Sequence, residues 1–441
     1  MTGLTMVGIS HHGAPLALLE RVAVRRDTRR ELLMDLRSAG CPEAVVLSTC
    51  SRVEIYLDNA SLGLSALLST LLDVLVEYSG VTHDELKAVL EVRTGRVALE
   101  HLFDVTAGLK SRVRGEVEIL AQTQAAYRES QAAGMASRAL AQLFPAALRS
   151  GRKIRAATTL DGLVRSLGHQ AVEIGLASLA TRADARVLVV GSGQMATAAV
   201  HHLAGLAMRV TVAARDEASA ARLAGTVTVC ALSGLTREIA QTDLVICATA
   251  AAQPVVTVHH VRGAMAERTN PLTIVDLSVP RNVDPAVAQV PRVTLIDLEG
   301  LNDDGTAEPC LAAALSLAAT MSNAAAAEFA IGVAAREAGP VIVAMRHRVE
   351  LACHAELAKT ADWYTLDSDA RARLVHAIAG KLLHGPTMVA RHAAAAGDSD
   401  VLRRLCTTFG VPLAEVDLAL TTLTGPGGAA VGTGLRPALS R

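Results

Sequence analysis

The stretch Ala185-Arg186-Val187-Leu188-Val189-Val190-Gly191-Ser192-Gly193-Gln194-Met195-Ala196-Thr197-Ala198-Ala199-Val200 decides the fold. Its first half is a β-branched apolar run, the pattern of a strand buried on both faces. It runs straight into Gly-x-Gly-x-x-Ala and then into a helical stretch. Small residues at that junction let a pyrophosphate approach the backbone at a helix N-terminus, where unpaired N–H groups favour negative charge. The glycine motif alone is weak, but a strand before it and a helix after it supply the required context. Gly191, Ser192, Gly193, Gln194, Met195 and Ala196 are therefore the expected dinucleotide contacts. A second strand over 209–214 ends at Arg215, roughly 20 to 25 residues past the first glycine, where the ribose is read. Arginine there suits a 2′-phosphate and so NADPH. The adjacent Asp216 suits a free 2′-hydroxyl, and both readings stand. Strands at 244–248 and 273–277 continue a Rossmann-type doubly wound parallel sheet.

Upstream lies Val45-Val46-Leu47-Ser48-Thr49-Cys50-Ser51-Arg52-Val53-Glu54-Ile55-Tyr56. An apolar run turns polar at a thiol, as in a buried strand that opens into a cleft. With the chain extended, Cys50 and Arg52 share a face, and the guanidinium favours the thiolate, the form that attacks carbonyls. A lone cysteine is also a small hydrophobe that often packs in a core.

At 441 residues the chain holds two or three domains, and 51% apolar content is ample for their cores. Only 2% is aromatic and alanine is abundant, so helices rich in small residues are expected. A net charge of −1 excludes a global basic footprint, so any RNA contact rests on local patches and shape. Seven scattered cysteines without a CxxC pair argue against a disulfide framework or zinc site and for a reducing cytoplasm. The N-terminus lacks the features of a signal peptide, and no uninterrupted apolar run reaches the ~18 residues that span a bilayer. No membrane association is expected.

Residues 4–9 read as a strand, 10–15 as a turn in which His11 and His12 are solvated, and 28–39 as a helix ended by Gly40. Thr82 and Glu85 form a capping-box pattern. His101 lies in an apolar helical pattern, where a core histidine is the plain reading. The alanine-rich helix over 309–338 is broken by Gly339-Pro340. Asn323, Glu328 and Arg336 interrupt it, which points to a dimer-forming helix. Further helices run to about 424, and the Gly/Pro-containing tail is expected to be disordered.

Ser-Thr-Cys-x-Arg-x-Glu-x-Tyr at 48–56 resembles the active-site segment of the glutamyl-tRNA reductase family. So do His101-Leu102-x-x-Val105-x-x-Gly108-Leu109, Gly115-Glu116-Val117-Glu118-Ile119-Leu120-Ala121-Gln122, Asp276-x-x-Val279-Pro280-Arg281-Asn282 and Leu382-x-His384-x-Pro386-Thr387, in collinear order over roughly 4–420. The resemblance implies an α/β multidomain chain: a catalytic domain over 1–157, an NADP-binding Rossmann domain over 158–300, and a long helix with a helical dimerisation domain over 301–424, followed by the tail at 425–441. It implies NADPH-dependent reduction of glutamyl-tRNA to glutamate 1-semialdehyde through a Cys50 thioester. His101 assists as acid or by ordering the site. Thr49, Ser51, Arg52, Ser111, Glu116, Val117, Glu118 and Gln122 line the aminoacyl pocket, with Arg52 on the substrate carboxylate or beside the thiolate. Expected partners are tRNA(Glu) charged with glutamate, a second copy of the chain, and the aminotransferase that consumes the aldehyde. Separate substrate and cofactor domains imply a swing of the nicotinamide toward Cys50.

The departures from the family cluster at the pocket. Ser51 replaces asparagine, Lys110 replaces aspartate, Arg112 and Arg114 replace apolar residues, Glu118 replaces glutamine and Ala121 glycine. The segment after the domain linker reads Val164-Arg165-Ser166-Leu167-Gly168-His169 where the family has small, β-branched residues. Glu118 either repels a glutamate side chain or pairs with Lys110 or Arg114. The alternatives are a paralogue reducing another aminoacyl-tRNA or acyl thioester, and a non-enzymatic relative that binds tRNA or a partner.

Overall fold

A computed structural model describes residues 4–58, 63–136, 138–158, 160, 166–179, 184–206, 208–221, 223, 227–266, 268–301, 309–359, 365–396 and 398–412. Val164, Arg165, the end of the dimerisation segment at 413–424 and the tail at 425–441 lie outside them. Two compact units emerge: Thr5–Arg93 with Val97–Ala326, and Ala327–Arg441 with the short segments Met1–Leu4 and Thr94–Arg96.

The first unit carries two sheets. The N-terminal sheet has four strands, β1 (Leu4–Ser10), β2 (Ala44–Ser48), β3 (Arg52–Asp58) and β4 (Glu91–Thr94), in the order β2-β3-β1-β4. β2 and β3 pair antiparallel, with Ser48 opposite Val53. Alternation along β3 divides its residues between two faces. Val53, Ile55 and Leu57 join Val46, Leu32, Leu36, Leu67 and Leu71 in one core. Arg52, Glu54 and Tyr56 face the other way, and all three are nevertheless buried. The expected capping box is formed: Thr82 N donates to Glu85 Oε2 at 2.9 Å and Glu85 N to Thr82 Oγ1 at 3.3 Å.

The second sheet is the expected parallel one. β5 (Arg186–Val190), β6 (Arg209–Ala214), β7 (Thr228–Ala231), β8 (Leu244–Cys247), β9 (Leu272–Asp276) and β10 (Val293–Ile296) lie in the order β10-β9-β8-β5-β6-β7. Val187 and Val189 pack against helices Leu167–Ala177 and Gln194–Gly205. Leu188 and Val190 pack against Leu235–Ala240 and Val258–Ala266. Helices on both faces explain why the strands read as continuous apolar runs. The chain reverses direction across the sheet between β5 and β8, which opens a crevice at their C-terminal ends.

Helix Pro309–Glu337 begins in this unit. Ala314, Leu315, Ala318, Ser322 and Ala326 recur at helical spacing and are buried. Part of this stripe packs against Ala107, Ile154 and Leu160. Pro309–Val333 is long and apolar enough to cross a membrane by length and composition alone. Here one face is covered by protein, and Ser322 Oγ donates to Asp104 Oδ1 at 2.8 Å.

In the second unit, helices Gly339–Leu357, Ser368–Ala396 and Ser399–Thr408 close over Val341, Met345, Leu383, Ala390, Leu402 and Cys406. Pro340 falls in the first turn of its helix, where a missing N–H costs nothing, so the break expected at Gly339-Pro340 is a helix start.

Candidate active site

Cys50 is not on an extended strand. Thr49, Cys50 and Ser51 form the tip of the β2–β3 hairpin, closed by Thr49 N donating to Arg52 O at 2.9 Å. The expected shared face for Cys50 and Arg52 is therefore absent, because the chain turns between them. Ser51 N donates to Thr49 Oγ1 at 3.2 Å, which stiffens the tip. The tip is held from β1 as well: His11 N donates to Ser51 O at 2.8 Å, with His11 Nδ1 3.3 Å from the same oxygen. His11 is half-buried rather than solvated. Burial, together with His12, Arg112 and Arg52, lowers its pKa to about 4, so it is neutral near pH 7.

Arg52 is buried and anchored. Its Nη1 donates to Glu54 Oε1 at 2.7 Å and its Nη2 to the Lys110 carbonyl. Glu54 also receives Tyr56 Oη at 2.7 Å, and its Oε1 lies 2.9 Å from His101 Nε2. Burial would raise the Glu54 carboxyl, but Arg52, His101 and Tyr56 outweigh it and hold it at about 2. A carboxylate only accepts, so the shared proton belongs to His101 Nε2. His101 Nδ1 is buried without a hydrogen-bond partner among the described residues. Arg52, Glu54, Tyr56 and His101 thus form one buried network behind the cysteine tip. Glu54 and Tyr56 were legible only as members of the motif; their role follows from the period-two spacing from Arg52.

The loop between helices Gly95–Thr106 and Glu118–Ala132 faces this network. Gly108 has φ +80°, and a Cβ there would meet Gly115 Cα at 3.0 Å. Gly115 N donates to Gly108 O at 2.8 Å and closes the loop. Arg155 Nη1 then donates to the carbonyls of Gly115 and Glu116, at 2.9 and 2.8 Å. This buried arginine carries no motif signal in the sequence. Ser111 and Glu116 are buried, Glu118 and Gln122 half-buried, and Val117 exposed. Burial raises Glu116 to about 7, opposed by Ser111 and reinforced by Glu118. Lys110 Nζ sits 3.5 Å from Asp104 Oδ2. Glu118 Oε2 is buried without a hydrogen-bond partner among the described residues, so the positive charge at Lys110 is met by Asp104.

Cys50 is half-buried and packs against a hydrophobic cluster. That cluster joins Leu16 and Val113 of the N-terminal half to Leu277, Leu298 and Leu301 of the parallel-sheet half. Burial, helped by Glu116, pushes the Cys50 thiol up to about 12, against Arg112 and, more weakly, Arg52. Polar contacts cross the same seam. Arg281 donates from both N and Nε to Glu20 Oε1, each at 2.8 Å, Leu16 N donates to Glu299 Oε1 at 3.0 Å, and Arg112 Nη1 to Leu298 O at 2.9 Å. The two halves expected to need a swing are thus in contact beside Cys50.

At the crevice of the parallel sheet, Gly191 has φ +124°, and a Cβ there would meet Ala248 O at 2.3 Å. Only glycine lets β5 turn there against the β8 loop. Gly193 caps helix Gln194–Gly205, and its missing Cβ would point into open space. Gly191, Ser192, Gly193, Arg215, Asp216 and Thr249 help line a cleft of about 300 Å³. A glycine cradle at a 12-residue helix start fits a dinucleotide pyrophosphate. Met195 and Ala196 instead belong to the hydrophobic core, Ala196 being fully buried. Asp216 Oδ1 accepts from Ala218 N at 3.1 Å, while Arg215 is exposed. Beyond β9, Asp276 accepts from the backbone N–H groups of Ser278, Asn282 and Val283 at 2.8–3.0 Å, which shapes the loop that presents Arg281 to Glu20.

Comparison with known proteins gives a consistent picture. A family model described as glutamyl-tRNA(Glu) reductase, N-terminal domain, matches residues 7–158, and one described as its dimerisation domain matches 318–411. Between them, a model described as shikimate/quinate 5-dehydrogenase matches 173–303. The glutamyl-tRNA reductase of Acidothermus cellulolyticus is 35% identical over 433 residues, covering 93% of this chain and 88% of its own. The solved structure of glutamyl-tRNA reductase from Methanopyrus kandleri is 26% identical, covers 89% of this chain and 99% of its own, and has a TM-score of 0.41.

Proposed function

Since the chain belongs to the glutamyl-tRNA reductase family, we propose that it reduces glutamyl-tRNA to glutamate 1-semialdehyde with a nicotinamide cofactor, the first step of the five-carbon route to 5-aminolevulinate and tetrapyrroles. The observation that carries this reading is the position of Cys50. The thiol sits at a rigid hairpin tip in one domain and packs against a cluster shared with the dinucleotide-binding domain.

The thiolate of Cys50 attacks the aminoacyl ester. A C–S bond forms, the C–O bond to the tRNA ribose breaks, and that oxygen takes a proton. The resulting thioester has less resonance donation than an ester and accepts hydride more readily. A nicotinamide cofactor held at Gly191, Ser192 and Gly193 and the helix start at Gln194 would supply that hydride. Collapse of the hemithioacetal breaks the C–S bond, releases the aldehyde and regenerates the thiol. His101, oriented by Glu54 through Nε2, keeps Nδ1 for proton transfer or substrate ordering. Arg52 is engaged by Glu54 and the Lys110 carbonyl, so it acts by fixing the tip and the loop. Thr49 and Ser51 at the tip, with Ser111, Glu116, Val117, Glu118 and Gln122 on the facing loop and helix start, form the aminoacyl pocket.

The cofactor is NADPH in this reading. Asp216 is occupied in capping the following turn, and Arg215 is left to meet a 2′-phosphate. The substrate is tRNA(Glu) carrying glutamate. The chain forms a homodimer through the helical region matched as a dimerisation domain, where Val343 and Leu382 are exposed. Free cysteines throughout the described residues suit a reducing cytoplasm, and an aminotransferase consumes the aldehyde.

The test is purified protein with glutamyl-tRNA and NADPH beside a Cys50→Ser variant, following cofactor oxidation and trapping semialdehyde. Turnover that vanishes in the variant supports the thioester route. Cofactor binding without turnover of glutamyl-tRNA in the unaltered protein would overturn the substrate assignment.

A further inference from the structure

Arg112 stands where the family carries an apolar residue, and three observations converge on it. Its Nη1 donates to the carbonyl of Leu298 at 2.9 Å, across 186 positions of chain and across the seam between the two sheets. Its neighbour Val113 lies in the hydrophobic cluster with Leu298 and Leu301, against which Cys50 packs. Its guanidinium favours the Cys50 thiolate against burial, as does Arg52, which is committed to Glu54.

We propose that Arg112 is a positioning residue that fastens the cofactor-binding domain to the pocket loop and, from the same guanidinium, places a positive charge beside Cys50. The thiol and the seam are thereby coupled through one side chain. The proposal rests on Cys50 being the nucleophile and adds a determinant particular to this chain.

A neutral carbonyl accepts one N–H of Arg112 without cancelling its charge, so that charge acts on its surroundings. The thiol sits in a partly desolvated seam, where a cation counts for more than in water. The other groups that bear on the sulfur are Glu116 from the same loop, which opposes the thiolate, and Arg52 from β3. Burial and both arginines lower the pKa of His11 and of His12, after β1. The cofactor domain presents Arg281, Asp297 and Glu299 to the seam, where Arg281 and Glu299 are engaged with Glu20 and Leu16 N. When Cys50 leaves the hemithioacetal it departs as a thiolate, and Arg112 is placed to stabilise it.

The experiment uses the full-length protein and reads two properties. Alkylation of Cys50 by iodoacetamide, followed at its own peptide by mass spectrometry from pH 7 to 10, reports the thiolate. Hydrogen exchange over residues 296–301 and 16–22 reports the seam. Arg112→Met should slow alkylation about fivefold at each pH, the change expected for removing one nearby charge at a partly solvated site, and should speed exchange in both segments. Arg112→Gln keeps a donor for Leu298 O without the charge, so alkylation should slow while exchange stays near that of the unaltered protein. Arg112→Lys should preserve both. Unchanged alkylation in Arg112→Gln would overturn the electrostatic half of the proposal. Unchanged exchange in Arg112→Met would overturn the fastening. Neither readout uses glutamyl-tRNA, so a wrong substrate assignment would leave this result standing, and the reverse.

Discussion

His101 Nε2 lies 2.9 Å from Glu54 Oε1, and that same oxygen receives Arg52 Nη1 at 2.7 Å. One carboxylate thus holds the candidate acid and the arginine behind the cysteine tip, all three buried. Glu54→Gln would leave the Arg52 charge without its counter-ion, and removing one partner of a buried pair costs about 3–5 kcal/mol. Urea unfolding should show that loss, with turnover falling further than stability alone explains. Acid provides an independent check. The folded protein lowers the Glu54 carboxyl from 4.5 to about 2, so it favours the ionised form. That contribution is complete above about pH 4.5 and is lost as pH falls toward 2. Glu54→Gln should flatten the acid limb of stability in this window, and an unchanged limb would sink the network.

Glu116 should modulate Cys50 through its own ionisation. Burial places its carboxyl at about 7, and its charge opposes the thiolate. As pH rises through 7, Glu116 becomes negative and holds the thiol back, so Cys50 alkylation should climb less steeply around pH 7 than well below or well above it. Glu116→Gln should remove that inflection and speed alkylation at pH 8 and above. A curve identical to that of the unaltered protein would place Glu116 too far from the sulfur to matter.

What was legible in the sequence follows from where periodicity operates. β5 and β6 announce themselves because buried parallel strands are continuous apolar runs, and Gly191 sits where only a missing Cβ clears Ala248 O. β4, β7 and β10 are short and only partly buried, so they show no continuous apolar run, whereas β8, equally short, is buried throughout and reads as one. Ser48–Arg52 contains no glycine or proline to mark a turn, so the sequence alone does not show where the chain reverses at Cys50. The tip is made instead by Thr49 Oγ1 accepting from the Ser51 backbone N–H and by the backbone of His11. Charged residues were the least legible. Arg52 gave no sign of pairing with Glu54 rather than facing substrate, and Arg112, Arg155 and Arg281 find acceptors 186, 39 and 261 positions away. No local pattern encodes such distances.

Arg215 should set the choice of nicotinamide. It is exposed at the cleft while Asp216 caps the following turn. Arg215→Ala should weaken NADPH binding about tenfold, the scale of one charge-assisted contact to a phosphate, and leave NADH nearly unchanged. Fluorescence titration with each cofactor measures both. Equal losses for the two would move the 2′-phosphate away from Arg215.

The charge reversal at Lys110 tests whether the pocket departures compensate one another. Lys110 Nζ lies 3.5 Å from Asp104 Oδ2, and Asp104 also accepts from Ser322 Oγ in the middle of the long helix. Lys110→Asp should therefore set two carboxylates against each other. The lysine is partly exposed, so solvent screening keeps the cost to roughly 0.5–1 kcal/mol. Adding Asp104→Asn should recover most of it, and 1 M salt should shrink the difference because exposed charges are screened within about 3 Å at that strength. Denaturant unfolding of the two single variants and the double variant closes the cycle. If Lys110→Asp instead leaves stability untouched and changes KM for glutamyl-tRNA, the lysine acts on substrate and its pairing with Asp104 is incidental.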